Sequence, residues 1–443
     1  MITNISYRGI WKLSVPIILG LLAQNIIQVI DTAFLGRVGE VALGASALAG
    51  VFYLSLFIIG FGFATGTQIL ISRRNGERNF SAIGWLFDHA LYFIIILAVI
   101  LFFLIDFLVE NFLMYIIQSE DILIEATHYL EYRIYGIYFA YINALFRAFY
   151  VGITKTRAIT PAAITMAGVN IFLDYALIFG NFGFPEMGIA GAALASVVAE
   201  ASSTLFFLIY TLLRIDYKKY GLFHFKAFRL NIIQGILKIS IFIMIQYFIS
   251  MAGWFIFFML IEKTGERPLA ISNITRSIYI ILMIPIWAFS QAANTLVSNV
   301  IGEGYKDKVL KTVLNVTTLS LVSTLLITIL TLIFPKEIIS IYTSSQVLAE
   351  LTVPVLRVIT GALLLFSVSM VIFQSVSGTG NTDHALIIEI ITILIYIAYI
   401  YLVTIVYPSS TEIIWCSEYV YFFFLGGMSY LYLRTGKWKT KKV

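Results

Sequence analysis

Long apolar runs, separated by short polar loops, recur along the whole of this sequence. A bilayer core about 30 Å thick requires roughly 20 apolar residues in each helix that crosses it. The chain has 443 residues, of which 60% are hydrophobic and only 12% are charged, whereas water-soluble domains carry about 25% charged residues. The sequence therefore predicts an all-α, polytopic membrane protein.

Twelve of these runs are long enough to cross a membrane. In the first half they lie near residues 11–36, 43–72, 84–108, 129–153, 159–180 and 188–213. In the second half they lie near residues 235–261, 269–301, 312–334, 353–378, 384–407 and 413–433. The first run contains polar residues and no small-residue cleavage site, so we interpret it as a retained helix and not as a signal peptide.

The sequence also repeats itself after 226 positions. This shift aligns "KLSVPI" from Lys12 with "KISIFI" from Lys238, and "GEVALGAS" from Gly39 with "GERPLAIS" from Gly265. The chain is thus predicted to contain an N-lobe at residues 1–213, a cytoplasmic linker at residues 214–233 and a C-lobe at residues 234–443. An even number of helices per lobe gives a parallel repeat of the kind found in secondary transporters that bind substrate between the two halves.

Basic residues predict the orientation of the chain. They cluster after the second, fourth, sixth, eighth and twelfth runs, and the positive-inside rule places such loops in the cytoplasm. We therefore expect both termini to be cytoplasmic. The residues concerned are Arg73, Arg74, Arg78, Lys155, Arg157, Arg214, Lys218, Lys219, Lys226, Arg229, Lys306, Lys308, Lys311, Lys437, Lys439, Lys441 and Lys442.

Two aspartates distinguish the halves of the repeat. Asp31 in the first run aligns with Phe257, and Asp174 in the fifth run aligns with Ile400. Acidic residues at these positions thus belong to the N-lobe alone. We interpret this asymmetry as the mark of an ion site in the N-lobe.

The spacing of neighbouring polar residues supports this interpretation. Gln24, Gln28 and Asp31 share one helix face, as do Asn170 and Asp174. A charged aspartate in hydrocarbon costs about 2.5 to 3.5 kcal/mol, so we expect both carboxyl groups to face the protein interior or water. If the two are adjacent, desolvation and like charge allow one of them to bind a proton near physiological pH. Alternatively, Asp31 is close enough to Gly36 to cap or solvate a helix end.

Other polar and aromatic residues within the runs are weaker candidates. Pro16 either kinks the first helix or lies near its tolerated start. Glu389, like Glu200 and Gln246, either lines a cavity or forms interhelical hydrogen bonds, and we interpret Arg147 as extending to the cytoplasmic surface. The faces of aromatic side chains would suit a bulky organic cation. Most aromatic residues of the chain are, however, expected to pack between helices or lie at the membrane interface. The predicted cavity-lining residues are Gln24, Gln28, Tyr138, Glu200, Gln246 and Trp254.

Motifs of soluble enzymes and of ATP-driven pumps are missing from the sequence. It contains no Walker loop, dinucleotide fingerprint, zincin motif or nucleophile elbow. Its four histidines are scattered, and its one cysteine, Cys416, excludes an internal disulfide. We therefore expect no enzymatic activity, cofactor, resident metal or nucleic-acid partner. Transport energy would then come from an ion gradient.

Two segments resemble a known family of transporters. "SVPIILGLLAQNIIQVIDTAFLGRVGEVALGASALA" and "LDYALIFGNFGFPEMGIAGAA" are similar to sequences of the multidrug and toxic compound extrusion (MATE) family. The segment "DTAFLGRVG" resembles sequences of the DinF-like branch more closely than those of the NorM-like branch. The likeness extends over nearly the whole chain.

The resemblance implies a V-shaped pair of six-helix bundles in the bacterial inner membrane, exporting small organic compounds in exchange for protons or sodium ions. Asp31, Asp174 and Asn170 match the cation-coupling residues of the family, including a sodium ion at the two aspartates, and Pro16 matches its helix-bending proline. NorM-like sequences also carry acids in the seventh and tenth helices. This chain has Gln246 and "VIFQSVSGTGNT" there, so no sodium site is expected in the C-lobe.

Two other functions fit a membrane protein of this kind. A flippase or exporter of a lipid-linked or metabolite substrate would need a wider and more cationic cavity, whereas the runs contain few basic residues. A membrane-embedded enzyme or receptor would need a catalytic constellation and has no obvious use for the repeat. We therefore predict a monomeric antiporter for organic, cationic or amphipathic compounds, whose partners are its substrate and membrane lipid.

Overall fold

The computed structural model describes residues 3–225 and 227–441, except for the side chains of residues 106, 108, 110–112 and 116. Helices make up most of this part of the chain, and it contains no strand. Lys226 and Lys442, two of the basic residues used above for orientation, lie outside the described residues. The predicted all-α class is confirmed.

Eight helices form the first half of the described chain and eight form the second. The first eight are α1 Tyr7–Val38, α2 Glu40–Gly76, α3 Phe80–Ile116, α4 Glu120–Arg133, α5 Gly136–Gly152, α6 Ile159–Phe179, α7 Gly188–Arg214 and α8 Tyr217–Tyr220. The second eight are α9 Leu230–Glu262, α10 Glu266–Gly302, α11 Val309–Ile333, α12 Pro335–Ser340, α13 Gln346–Gly378, α14 Thr382–Tyr401, α15 Thr411–Trp415 and α16 Ser417–Thr435.

The spanning helices correspond closely to the predicted runs. Among the described residues, ten helices are long and apolar enough to cross a bilayer, and the pair α4 and α5, bent by 53°, can form an eleventh span. The fourth predicted run is therefore broken and not straight. The twelfth corresponds to α16, which has 19 residues but falls short of the others in apolarity, because it contains four tyrosines and two charged residues.

The repeat is visible in the helix bounds. Helix α10 begins and ends 226 residues after α2 begins and ends. Each helix is preceded by a glycine with positive φ, 152° at Gly39 and 121° at Gly265. Only glycine adopts such backbone angles at little cost, so the same sharp entry into the second helix of each half is encoded twice.

The chain divides into two compact units. We call Leu19–Met244 the N-unit, and Met1–Ile18 together with Ile245–Val443 the C-unit. Helices α1 and α9 therefore each begin in one unit and continue in the other. The bounds of the units differ from the lobes predicted at residues 1–213 and 234–443. The units are defined by which residues pack together, whereas the lobes are defined by the sequence repeat. The lobe bounds themselves stay a prediction.

The start of α1 packs within the C-unit. Ile10 and Leu13 are buried in an apolar cluster that includes Phe289 of α10. Just before α1, the backbone N–H and hydroxyl of Thr3 donate hydrogen bonds of 2.6 and 2.5 Å to the carboxylate of Glu303. These contacts explain why the first turns of the chain belong to a unit built mainly from its second half.

The start of α9 packs within the N-unit through glycines of α2. A Cβ atom on Gly66 would lie 2.6 Å from the Cα of Ser240, and one on Gly62 would lie 2.8 Å from the Cα of Met244. The hydroxyl of Ser240 donates a 3.2 Å hydrogen bond to the carbonyl of Phe63. Two glycines one helical turn apart thus permit close approach of the two backbones.

The predicted linker is bound to the N-unit by a buried aspartate. The carboxylate of Asp88 on α3 accepts hydrogen bonds of 3.0 to 3.1 Å from the backbone N–H groups of Phe223, His224 and Phe225. His89 accepts another from the backbone N–H of Arg229. Residues 223–225 and Arg229 are therefore held against α3.

A glycine at the end of α13 provides a test of the C-unit packing. A Cβ atom at Gly378 would lie 2.4 Å from the carbonyl oxygen of Asn294 and 2.9 Å from its Cα, whereas one at Gly427 of α16 would meet nothing within 4 Å. Because backbone cannot give way easily, we expect Gly378→Ala to lower the free energy of unfolding by about 1–3 kcal/mol. Thermal unfolding in detergent measures this loss. Gly427→Ala is the control, and equal melting temperatures for the two variants would contradict the packing described.

Candidate functional site

Helix α6 brings Asn170 and Asp174 into the interior of the N-unit. The helix ends at Gly180, whose φ of 69° is left-handed and terminates the helix. The two polar residues are one turn apart on the same face, and both side chains are fully buried. Their predicted common face is therefore a buried one.

Helix α1 brings Asp31 against Asp174. The carboxyl groups of the two residues lie close enough to interact with each other. No N–H or O–H group among the described residues donates to either oxygen of Asp174 or to Oδ1 of Asp31, and both amide atoms of Asn170 also lack a partner. A proton shared between the two carboxyl groups satisfies the contact. The proximity that the sequence interpretation required is thus present, and its role in coupling stays a prediction.

A second buried pair of charged residues lies on neighbouring helices of the N-unit. Arg133 at the end of α4 donates hydrogen bonds of 3.0 and 2.6 Å to the two carboxylate oxygens of Glu200 on α7. The guanidinium carbon lies 3.8 Å from the ring centroid of Tyr53. A Cβ at Gly136 would collide with Arg133 and Glu200, so glycine at the α4–α5 break makes room for the ion pair.

A small cleft of about 30 Å³ also lies within the N-unit. Its polar lining comes from Gln24, Asn143, Arg147 and Ser203, and its apolar walls come mainly from α6. The guanidinium of Arg147 donates a 3.1 Å hydrogen bond to the side-chain oxygen of Gln24. The interpretation that Arg147 extends to the membrane surface is therefore wrong, because the side chain turns into this cleft.

The other predicted cavity residues of the N-unit lie elsewhere. Gln28 is exposed on α1, and Tyr138 packs with its ring centroid 5.9 Å from that of Phe102. Glu200 is engaged by Arg133. Of the four cavity-lining predictions in this unit, only Gln24 lines the cleft described above.

Pro16 lies inside α1, which the structure describes as one helix from Tyr7 to Val38. It is three residues before Leu19, where the N-unit begins. Proline removes one backbone donor from a helix interior and weakens the helix locally. Its role in bending stays a prediction.

The C-unit contains two buried acids, of which the sequence interpretation named Glu389 only as a weaker candidate and did not name Glu418. Glu389 on α14 and Glu418 on α16 are 1% and 3% exposed. Buried carboxyl groups therefore occur in both halves of the chain. The interpretation of an N-lobe ion site compared only the positions aligned with Asp31 and Asp174, and these glutamates lie at other positions. The signal available for Glu418 was a carboxylate at the start of the aromatic run "EYVYFFF".

The two remaining predicted residues also lie in the C-unit. Gln246 is 2% exposed, and its side-chain oxygen has no partner among the described residues. Trp254 stacks on Tyr279, with ring centroids 6.2 Å apart and planes inclined by 11°. The tryptophan is thus a packing residue here, whereas the glutamine leaves a buried acceptor unused.

Comparison with known families decides the identity of the fold. The MatE family model matches residues 16–176 and again residues 241–402. The chain belongs to the MatE family. The two matches fall on the two halves of the repeat and confirm it, and the predicted resemblance to the MATE family is confirmed as well. Because the family consists of transporters and not of enzymes, this MatE chain is a multi-pass membrane transporter.

Similar proteins support the assignment to MatE. The chain is 28% identical to "Probable multidrug resistance protein NorM" of Thermotoga maritima over 86% of its own length and 82% of that protein. It is 29% identical to a protein of the same name from Agrobacterium fabrum, over 67% and 64% of the two chains. These relatives carry the NorM name, and the predicted DinF-like branch stays a prediction.

Solved MATE structures share the fold. A MATE protein in complex with MaL6 has a TM-score of 0.90 at 18% identity and covers 97% of this chain and 96% of its own. A MOP superfamily transporter from Pyrococcus furiosus, described as having a binding pocket of reverse polarity, has a TM-score of 0.89 at 19% identity, over 97% and 95% of the chains. At these identities the likeness concerns the MATE fold alone.

The pair formed by Arg133 and Glu200 provides a test of its structural role in this MatE protein. The side chains are only 11% and 14% exposed, so removing one partner leaves the other charge buried and unpaired. We expect Arg133→Met or Glu200→Met alone to lower the free energy of unfolding by about 3–5 kcal/mol.

The double variant Arg133→Met/Glu200→Met is the control for this test, because it leaves no unpaired charge. It should regain most of the lost stability in denaturant unfolding of the purified protein. Additive losses in the double variant would contradict the assignment of a mutually compensating pair.

Proposed function

We propose that this MatE transporter exports organic compounds, cationic or amphipathic, in exchange for protons or sodium ions. The N-unit residues Asp31, Asp174 and Asn170 form the coupling site. The observation that carries the proposal is the contact between two carboxyl groups whose buried oxygens receive no hydrogen bond from the described protein. The multidrug resistance names of the relatives support the substrate class.

The physical basis is the repulsion between two carboxylates at one buried site. Two like charges about 4 Å apart repel by roughly 4 kcal/mol at an effective dielectric constant near 20. Binding one cation relieves this repulsion. A proton shared between Asp31 and Asp174 does so directly, and a sodium ion does so with the side-chain oxygen of Asn170 as a further ligand.

The exchange cycle follows from this change in charge. With an ion bound, α1 and α6 pack through a neutral pair, α1 bends near Pro16, and the N-unit releases its substrate outside. After the ion leaves to the cytoplasm, the charged pair favours the arrangement that binds substrate again. An ion drives this cycle only through its different affinity for the two arrangements.

The membrane and the assembly are part of the proposal. The relatives from Thermotoga and Agrobacterium are bacterial, which supports the inner membrane as the location. The basic loops support cytoplasmic termini. We propose a monomer whose only other partners are its substrate and the surrounding lipid.

Neutralising Asp174 tests the coupling site. Asp174→Asn removes the buried charge and keeps the size of the side chain, so we expect gradient-driven export from proteoliposomes to fall by roughly 5- to 150-fold. Substrate binding without a gradient should persist. Imposing the proton gradient and the sodium gradient separately identifies the ion.

Asp121→Asn is the matched control, because Asp121 is an exposed aspartate of the same unit. It should export normally. Undiminished export and normal proton exchange by the Asp174→Asn variant would contradict the coupling role.

A second candidate function is the export of a lipid-linked or metabolite substrate that carries an anionic group. Arg147 favours it, because this arginine lines the cleft and forms no ion pair among the described residues. The hydrogen bond from Arg147 to Gln24 supplies no opposite charge. A desolvated charge without a counter-charge is costly, and a carboxylate or phosphate of a substrate would compensate it. The reverse polarity described for the pocket of the Pyrococcus transporter supports this candidate.

Substitution of Arg147 separates the two candidates. If an anionic group binds there, Arg147→Gln should weaken binding of a carboxylate-bearing amphipathic compound about tenfold or more, as expected for loss of a hydrogen bond between charged groups. Binding of the matched amide should be unaffected, and Arg147→Lys should retain part of the preference. Fluorescence titration of the purified protein measures both compounds.

The control is Arg276→Gln in the C-unit, where the arginine lies over the ring of Phe258 and outside the cleft. It should not change the preference. Equal effects of Arg147→Gln on the carboxylate and the amide would exclude the second candidate in favour of the first.

A further inference from the structure

Glu389 of the C-unit is held by two hydroxyl groups and by no cation. Ser250 on α9 and Tyr421 on α16 both donate to its Oε1, at 2.5 and 2.7 Å. Its second oxygen, Oε2, is buried and has no partner among the described residues. The carboxyl group therefore has one oxygen that accepts two hydrogen bonds and one oxygen that is available to carry a proton.

Glu418 is held in the same way by two tyrosines. Tyr396 on α14 donates to its Oε1 at 3.0 Å, and Tyr279 on α10 donates to its Oε2 at 3.1 Å. The rings of Tyr396 and Tyr421 are in edge contact, with centroids 5.5 Å apart. The two glutamates are thus the centres of adjoining hydroxyl clusters within one unit.

No basic residue in the described part of the chain balances these two acids. Neither acid forms an ion pair there. Arg276 on α10 lies over the ring of Phe258, and Arg357 on α13 is exposed. The polar and titratable groups that the described contacts place around the pair are Ser250, Tyr279, Tyr396, Tyr421 and Ser417.

An isolated buried carboxylate is too costly to persist without compensation. Four neutral hydroxyl donors reduce this cost but do not remove the charge. We therefore expect each glutamate to carry a proton while it is enclosed as described. The hydroxyl donors also stabilise the charged form of each glutamate. A glutamate that is neutral while buried is therefore suited to release its proton when the surrounding helices separate.

We propose that Glu389 and Glu418 form a second proton-binding site, which takes up and releases protons during transport. This site extends the ion exchange proposed above but does not require Asp31 or Asp174. The glutamates bind the protons, and the tyrosine hydroxyls hold both forms of the carboxyl groups in place. The exchanged protons then come from both units of the chain.

Infrared difference spectroscopy on the purified full chain tests the proposal. In a background of Asp31→Asn/Asp174→Asn, a change from about pH 6, where exposed carboxyl groups are already ionised, to alkaline pH should still remove a carboxylic acid C=O band. Glu389→Gln and Glu418→Gln should each reduce this band by about half if the two groups contribute equally, and the double variant should abolish it. Glu337→Gln, at an exposed glutamate of the same unit, is the control.

Tyr421→Phe provides a second readout that does not remove the acid. It deletes one of the two donors to Glu389, so the pH midpoint of the band should shift while the band itself persists. A purely structural glutamate that never titrates would show neither band nor shift. A band that responds to sodium at constant pH, and not to pH, would overturn the assignment to protons.

A transport measurement distinguishes the second proton site from the coupling site at Asp31 and Asp174. In proteoliposomes, Glu389→Gln/Glu418→Gln should lower the number of protons exchanged per substrate while proton-driven export persists through Asp31 and Asp174. An unchanged ratio would overturn the second site and leave the first intact. If the Asp174→Asn variant exports normally but the infrared band of the glutamates titrates, the coupling site at Asp31 and Asp174 is overturned and the second site stands.

Discussion

The cost of burying charge in an apolar interior governs the polar residues of this transporter. A surface acid needs no partner, whereas a buried one must share a proton, pair with a cation or accept several hydrogen bonds. All three arrangements occur here. Arg133 compensates Glu200, Asp31 and Asp174 face each other, and Glu389 relies on hydroxyl donors. The ion pair leaves no carboxylate oxygen of Glu200 without a donor, which is why we assign it to stability. Asp174 and Glu389 each keep a buried oxygen without a partner among the described residues, and this open oxygen is why we propose that they carry exchangeable protons.

The repeat separates what the backbone requires from what the chemistry requires. Helices α2 and α10 have equivalent bounds, and Gly39 and Gly265 give both the same entry geometry. Polar residues do not follow this symmetry, since Asp174 aligns with Ile400 and Glu389 lies elsewhere in its half. Two copies of one scaffold thus hold buried carboxyl groups at different positions. An alignment of the halves locates the helices but not the second set of acids.

The sequence could predict the features that depend on local pattern. Apolar length located the spanning helices, and i, i+4 spacing placed Asn170 and Asp174 on one buried face of α6. Features that depend on which helices pack against each other could not be predicted. Arg147 turns into a cleft because Gln24 lies across from it, and periodicity assigns a face but not its neighbour. The ion pair beside the α4–α5 break joins residues 67 positions apart in the sequence.

In the proposed exchange, the unequal burial of the two aspartates would set the order in which a proton reaches them. Asp174 is fully enclosed, whereas Asp31 is only partly buried and lies on a helix that continues to an exposed end. A proton that enters from the open side of Asp31 would meet this residue first and would then pass to the neighbouring carboxyl group of Asp174. We therefore expect loss of Asp31 to slow proton entry, and loss of Asp174 to remove the enclosed charge that makes binding favourable. The first defect would concern the rate of exchange and the second its equilibrium.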